Sequence, residues 1–218
     1  MASKSRKRSN PEKKVSPFEK KENKILIGVV IVLAVVLAVV LVWQVFGGNS
    51  SEENPTVLIK TSMGDITVEL YSDLAPNTVE NFLSYVEDGF YEDLVFHRVA
   101  NLDSSAPQNH IIQGGGFYAD GTRKDTNDPI DLEINDEALH IDGAIAMART
   151  SDPNSATSQF YICDGPQEFL DGNYAVFGIT IDGIDVVRAI SEVSTTTKNS
   201  MTNWPVQDVI IEEIVRLS

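Results

Sequence analysis

From Thr56 to the carboxy terminus, apolar residues recur with two different periods, and each change of period marks a new element. Thr56–Thr61 and Asp65–Tyr71 alternate apolar and polar side chains around Met63-Gly64, which predicts a β-hairpin. Pro76 then opens a stretch in which Val79, Phe82, Leu83 and Val86 share one helical face, with Gly89 beyond it, so a helix is predicted there. Short β-like stretches at 94–99, 111–113, 144–148, 159–162, 175–180 and 208–217 predict further strands, and 184–190, after Asp182-Gly183, predicts a second helix. Many short strands with two helices favour a closed barrel with helices capping its ends, because closure removes unpaired strand edges.

The amino-terminal quarter follows neither period. Residues 25–46 form an uncharged run of 22 residues in which Gly28 and Gln44 alone break the apolar pattern. At about 1.5 Å per residue such a helix would cross a hydrocarbon layer of about 30 Å. Trp43 suits one interface, and Lys20, Lys21 and Lys24 suit the cytoplasmic side of the other. The expected organisation is a basic cytoplasmic tail (1–24), a transmembrane helix (25–46), a polar linker (47–55) and a folded domain (56–218) outside a cell membrane. The lipid bilayer would then be a partner through residues 25–46. A cleaved signal peptide is the alternative, although its apolar region normally spans about 7 to 15 residues.

Charge sharpens the division between the parts. Residues 1–24 carry nine Lys or Arg and three Glu, a net of +6, whereas residues 25–218 carry eight basic and 29 acidic side chains, a net of −21. So acidic a body is unsuited to phosphate backbones, which argues against a nucleic-acid partner. Cys163 is the single cysteine, so no intrachain disulfide forms and no thiolate metal site can be assembled. Its place after Phe160-Tyr161-Ile162 suits a small buried filler. His97, His110 and His140 lack close metal-ligand spacing.

Activity enters through five phrases in a fixed order. Phe96-His97-Arg98-Val99, Ile112-Gln113-Gly114-Gly115-Gly116, Ala146-Met147-Ala148-Arg149, Ser155 to Ile162, and Phe169-Leu170-Asp171-Gly172 followed by Ala175-Val176-Phe177-Gly178 resemble the signature of the cyclophilins. The likeness runs over residues 56–217. It implies a mainly β fold, a closed eight-stranded antiparallel barrel capped by two helices, with a groove that takes proline-containing polypeptides. The implied activity is peptidyl-prolyl cis-trans isomerisation, with no cofactor, in the folding of extracytoplasmic proteins.

The resemblance also implies roles for residues. Arg98 matches the catalytic arginine, Gln113 the glutamine that holds the substrate backbone, and Ala148 and Arg149 the pair whose backbone binds the peptide. Gln159 lies alongside. Ile111, Tyr161 and Leu170 match apolar walls of the proline pocket, with Phe169 and Tyr174 at its rim. Tyr161, Phe169 and Tyr174 stand where the most familiar pattern has phenylalanine, tryptophan and histidine, and the second change leaves cyclosporin binding undecided.

Arg98 and Gln113 are 15 positions apart, wider than the family spacing, so the polar stretch from Ala100 to Asn109 reads as an inserted loop at the groove's edge. His110 then falls where a phenylalanine floors the pocket, making the floor more polar; a pH-sensitive contact or a solvated loop-edge histidine are the other readings. A proline-binding adaptor with weakened catalysis is the alternative to an enzyme. His97 is expected to be structural, and His140 carries no functional signal.

Overall fold

The computed structural model describes residues 33–38, 54–103, 105–106 and 109–218. The chain divides into two compact units, Met1–Glu52 and Glu53–Ser218. In the second unit eleven strands follow in order. They are β1 (Thr56–Thr61), β2 (Gly64–Leu70), β3 (Leu94–Val95), β4 (Arg98–Asn101), β5 (His110–Gly114), β6 (Ala144–Met147), β7 (Phe160–Asp164), β8 (Val176–Asp182), β9 (Thr195–Lys198), β10 (Met201–Pro205) and β11 (Ile210–Arg216). Helix α1 (Pro76–Glu87) lies between β2 and β3, and α2 (Ile184–Ser191) between β8 and β9.

The expected closed eight-stranded barrel is corrected by the pairing. Nine strands form one antiparallel sheet in the order β3-β11-β1-β2-β8-β6-β7-β5-β4, so β3 and β4 are its two edges. The physical reason is local. The stretch 94–99, predicted as one strand, breaks at Phe96-His97; its first piece pairs with β11 and its second with β5. One segment therefore serves both edges of a curled sheet, and the seam is bridged by two residues of chain rather than by a ladder.

Period-2 alternation sends side chains to two different apolar clusters. On the inner face Val57, Ile59, Ile66, Val68, Ile112, Ile145, Phe160, Ile162 and Ile211 join the main core. Helix α1 adds Val79, Phe82 and Leu83, with Phe82 edge-on to Phe160 at 5.6 Å, and α2 adds Val187 and Ile190. On the outer face Ala100, Ile111, Ala144, Ala146, Tyr161 and Cys163 form a second, smaller cluster. Both faces of β6 and β7 are thus buried, which explains why 144–148 and 160–163 read as continuous apolar runs.

The first turn of α1 has no cap of its own, since Ala75 precedes Pro76. Glu133 takes that place from a distant loop: its carboxylate accepts hydrogen bonds from the backbone N–H of Asn77 (3.2 Å) and Thr78 (2.7 Å) and from both their side chains. The β9–β10 hairpin is absent from the predicted elements. Its first strand is polar and largely exposed and its second buries only Trp204 and Pro205 at its end, so neither carries an alternating apolar signal, and its turn is Asn199-Ser200, both with positive φ (50° and 67°). That geometry suits the right-handed twist of a two-residue hairpin.

The predicted membrane helix is also corrected. Among the described residues no helix is long and apolar enough to cross a membrane. Within the segment 25–46 only residues 33–38 are described, and they form a six-residue helical stretch, exposed throughout. The rest of that segment, with the tail 1–24 and most of the linker, lies outside the described residues. The single-pass cell-membrane location and the bilayer partner both rested on that helix, and both fall with it.

Candidate active site

The outer face of β4, β5 and β7 carries the groove, and register alone aligns its polar row. Arg98 pairs with Gln113 across β4–β5, and Gln113 pairs with Tyr161 across β5–β7, so three neighbouring strands present these side chains on one face. Arg98 Nη1 donates to Gln113 Oε1 at 3.1 Å, and Gln113 Nε2 donates to Gln159 Oε1 at 3.1 Å. The carboxamide of Gln113 is oriented from both sides, because its oxygen faces a pure donor and its nitrogen faces an acceptor.

Beside this row lies a cavity of about 120 Å³. Leu102, Ile111, Ala148, Tyr161 and Leu170 give it apolar walls, while Arg98, Gln113, Arg149 and Tyr174 supply its polar margin. Ala144 and Ala146, the small residues of β6, leave room on this face, whereas Ile145 and Met147 fill the core behind it. Arg149 donates to the carbonyls of Asn173 and Thr150 and lies over the Tyr174 ring at 4.5 Å, which fixes the rim. A second cavity of about 140 Å³ adjoins the first, with Gln113, Ala148 and Arg149 shared between them. Arg123, Thr150, Ser155, Thr157 and Gln159 complete its lining.

Glycine makes the close approach possible. Gly115 has φ +81°, where a side chain would be strained, and a Cβ on Gly116 would come within 2.6 Å of the Gln159 side chain. The Gly-Gly-Gly after Gln113 therefore turns the chain away without displacing the glutamine row.

Two of the residues singled out in the sequence lie elsewhere. His110 begins β5 opposite Asn101 and Asp164, one position out of phase with Ile111, and lines neither cavity. Phe169 is 52 % exposed in the 3-10 turn Glu168–Leu170 and lines neither. Leu102, from the insertion, stands in the wall instead. The strand runs on through Asn101, whose Nδ2 donates to the carbonyls of Ala106 and Asn109, so the inserted loop starts two residues later than its polarity suggests.

The titratable groups here are tuned by burial. The Tyr161 phenol is pushed well above its ordinary value, chiefly by burial, and so remains protonated. Burial lifts the Cys163 thiol to about 12, which makes it a filler rather than a nucleophile. His97, buried beside Phe117 at 4.7 Å and Trp204 at 6.0 Å, is lowered to about 4 by burial and is neutral at pH 7.

Comparison with known proteins accords with this geometry. Residues 56–216 match the family described as cyclophilin type peptidyl-prolyl cis-trans isomerase/CLD. A peptidyl-prolyl cis-trans isomerase of Acinetobacter baylyi is 44% identical over 163 residues, covering 72% of this chain and 83% of the relative. Peptidyl-prolyl cis-trans isomerase B of Escherichia coli is 40% identical over 166 residues, covering 72% and 97%. A crystal structure of a Cryptosporidium parvum cyclophilin type peptidyl-prolyl cis-trans isomerase superposes with a TM-score of 0.61 at 28% identity, covering 76% of this chain and 98% of that one. With its folded unit matched almost from end to end, this chain belongs to the cyclophilin family and is an enzyme that isomerises X-Pro bonds.

Proposed function

We propose that the X-Pro bond turns in the groove over β4, β5 and β7, with the proline ring in the apolar cavity and Arg98 as the catalytic residue. Rotation about the amide meets a barrier of about 18–20 kcal/mol because resonance makes the C–N bond partly double. As the bond twists, the nitrogen lone pair leaves resonance and becomes a hydrogen-bond acceptor. A donor aimed at that nitrogen favours the twisted state over both planar ones, which is the requirement for catalysis. No covalent bond forms or breaks, so the reaction calls for no nucleophile.

One observation carries this reading. The half-buried Arg98 guanidinium has a single side-chain hydrogen bond among the described residues, to Gln113, and it borders the apolar cavity with its remaining donors uncommitted. Its fixed charge and planar fork suit the task better than a flexible ammonium would. Gln113 and Gln159 would hold the substrate backbone, as would the main chain at Ala148 and Arg149. Tyr161, Leu170, Ile111 and Leu102 would grip the ring. The substrates are proline-containing polypeptides.

The test is a proline-peptide isomerisation assay. Arg98→Ala is expected to lower kcat/KM by about 10²-fold or more and Arg98→Lys by nearly as much, with peptide binding retained. Turnover in Arg98→Ala equal to the parent's refutes the assignment.

A further inference from the structure

Behind the apolar cavity runs a buried bridge. His140 is 1 % exposed, and its two ring nitrogens are both engaged. Nδ1 meets Asp171 Oδ1 at 2.7 Å and Nε2 meets the Tyr161 hydroxyl at 2.8 Å. Asp171 is acceptor-only when ionised, so Nδ1 carries the proton, and Nε2 of the neutral ring then accepts from the phenol. The burial that lowers the imidazole's affinity for a proton favours that neutral form, against the pull of Asp171. The ring lies nearly parallel to Tyr161, at 11° with centroids 6.0 Å apart.

His140 has no freedom to stand elsewhere. Its backbone N–H donates to the same Asp171 Oδ1 at 2.8 Å, and its carbonyl accepts from the Gln167 N–H at 2.8 Å. One end of the bridge is thus Tyr161 on β7. The other is Asp171, directly after Leu170 in the turn that supplies another part of the cavity wall.

We propose that His140 and Asp171 are positioning residues of the isomerase, a hydrogen-bonded bridge that holds the Tyr161 and Leu170 walls at a fixed separation and turns the Tyr161 hydroxyl away from the proline ring. The phenol's polar end is satisfied inside the protein, so the cavity meets the aromatic ring alone. Loss of either end frees that wall, and a looser cavity binds the ring less well, while Arg98, on β4, is untouched. The bridge therefore governs KM rather than kcat. This rests on the cavity being the proline site proposed above.

The experiment measures kcat and KM for a proline peptide in Tyr161→Phe, Asp171→Ala, their double variant, Asp171→Asn and Arg98→Ala. Tyr161→Phe removes one oxygen and Asp171 is partly exposed, so neither change threatens the fold. Tyr161→Phe, which removes one hydrogen bond, is expected to raise KM by about five-fold and Asp171→Ala, which removes two, by at least as much, with kcat in both within about two-fold of the parent. The double variant should be no worse than the poorer single one, because a bridge is cut once. Asp171→Asn keeps an acceptor oxygen and should restore KM. Unchanged KM in both single variants, or effects that multiply in the double, overturn the proposal; a purely structural role would lower the melting temperature and leave KM alone. If Arg98→Ala turns over like the parent, the site reading fails; if it loses turnover while KM stays fixed in the bridge variants, the bridge alone fails.

Discussion

Gln113 shows how much of this site depends on single atoms. Its carboxamide oxygen accepts a hydrogen bond from Arg98 and its nitrogen donates one to Gln159, so a displacement at Gln159 travels to the guanidinium through two hydrogen bonds. Gly116 guards that row, since a methyl group there would press on the Gln159 side chain at 2.6 Å. Gly116→Ala is expected to lower kcat/KM by about ten-fold while costing under about 1 kcal/mol of stability, because a flexible side chain yields more cheaply than backbone. Peptide kinetics beside a urea titration check it; a variant with the parent's kcat/KM would show that the glutamine row is not needed in its present place. At this scale His140 is the residue whose importance sequence conceals. An isolated histidine in a turn-like stretch gives no sign that an aspartate 31 positions on and a tyrosine 21 positions on close around it.

Elements are held in place by partners distant in sequence. Helix α1 begins without a cap, and Glu133 satisfies its first N–H groups from 55 positions away. Although burial opposes it, hydrogen bonds from Thr78 and Asn77 keep the Glu133 carboxyl below its ordinary value. A carboxylate so favoured contributes stability that is present above its unfolded pKa and lost as pH falls through the folded one. Glu133→Gln is therefore expected to destabilise the fold by about 1 kcal/mol near neutral pH and by less at acid pH. Denaturant midpoints measured at both pH values decide this, and equal stability of variant and parent at neutral pH would remove the capping role. The β4–β5 connection is the other telling element: it shifts the wall-forming position from His110 to Leu102, since β5 alternates and His110 falls out of phase with the cavity.

Across the whole molecule, the buried histidines set a limit on acid stability. His97 is lowered from 6.5 to about 4, and His140 is lowered as well, in both cases mainly by burial. The unfolded chain takes up these protons first as pH falls. Stability is therefore complete above the ordinary histidine value and declines as pH drops toward the folded ones. For His97 alone the loss across that window is on the order of 3 kcal/mol. Thermal melts between about pH 7 and about pH 5 should show a steady fall in Tm, and His97→Phe should flatten it. A parent Tm that does not change over that range would mean that the folded protein takes up protons at these rings as readily as the unfolded chain does, and would refute their lowering by burial.

Sequence alone determined what depends on neighbours along the chain. The hairpin at Met63-Gly64, the helix opened by Pro76 and the strand periods follow from local spacing, and the ordered phrases around Arg98, Gln113 and Phe169-Leu170-Asp171-Gly172 resemble the cyclophilin signature closely enough to indicate the family and its reaction. Tertiary structure decided what depends on register and closure. It split 94–99 between two sheet edges, opened the barrel seam, added a polar hairpin with no hydrophobic period, exchanged His110 for Leu102 and joined His140 to Tyr161 and Asp171. The apolar run at 25–46 marks the same boundary from the other side: hydropathy reports what a segment could bury, whereas among the described residues no helix is long and apolar enough to cross a membrane. Local pattern constrains each residue's face; which residues then meet across the groove is set by how strands far apart in sequence are aligned.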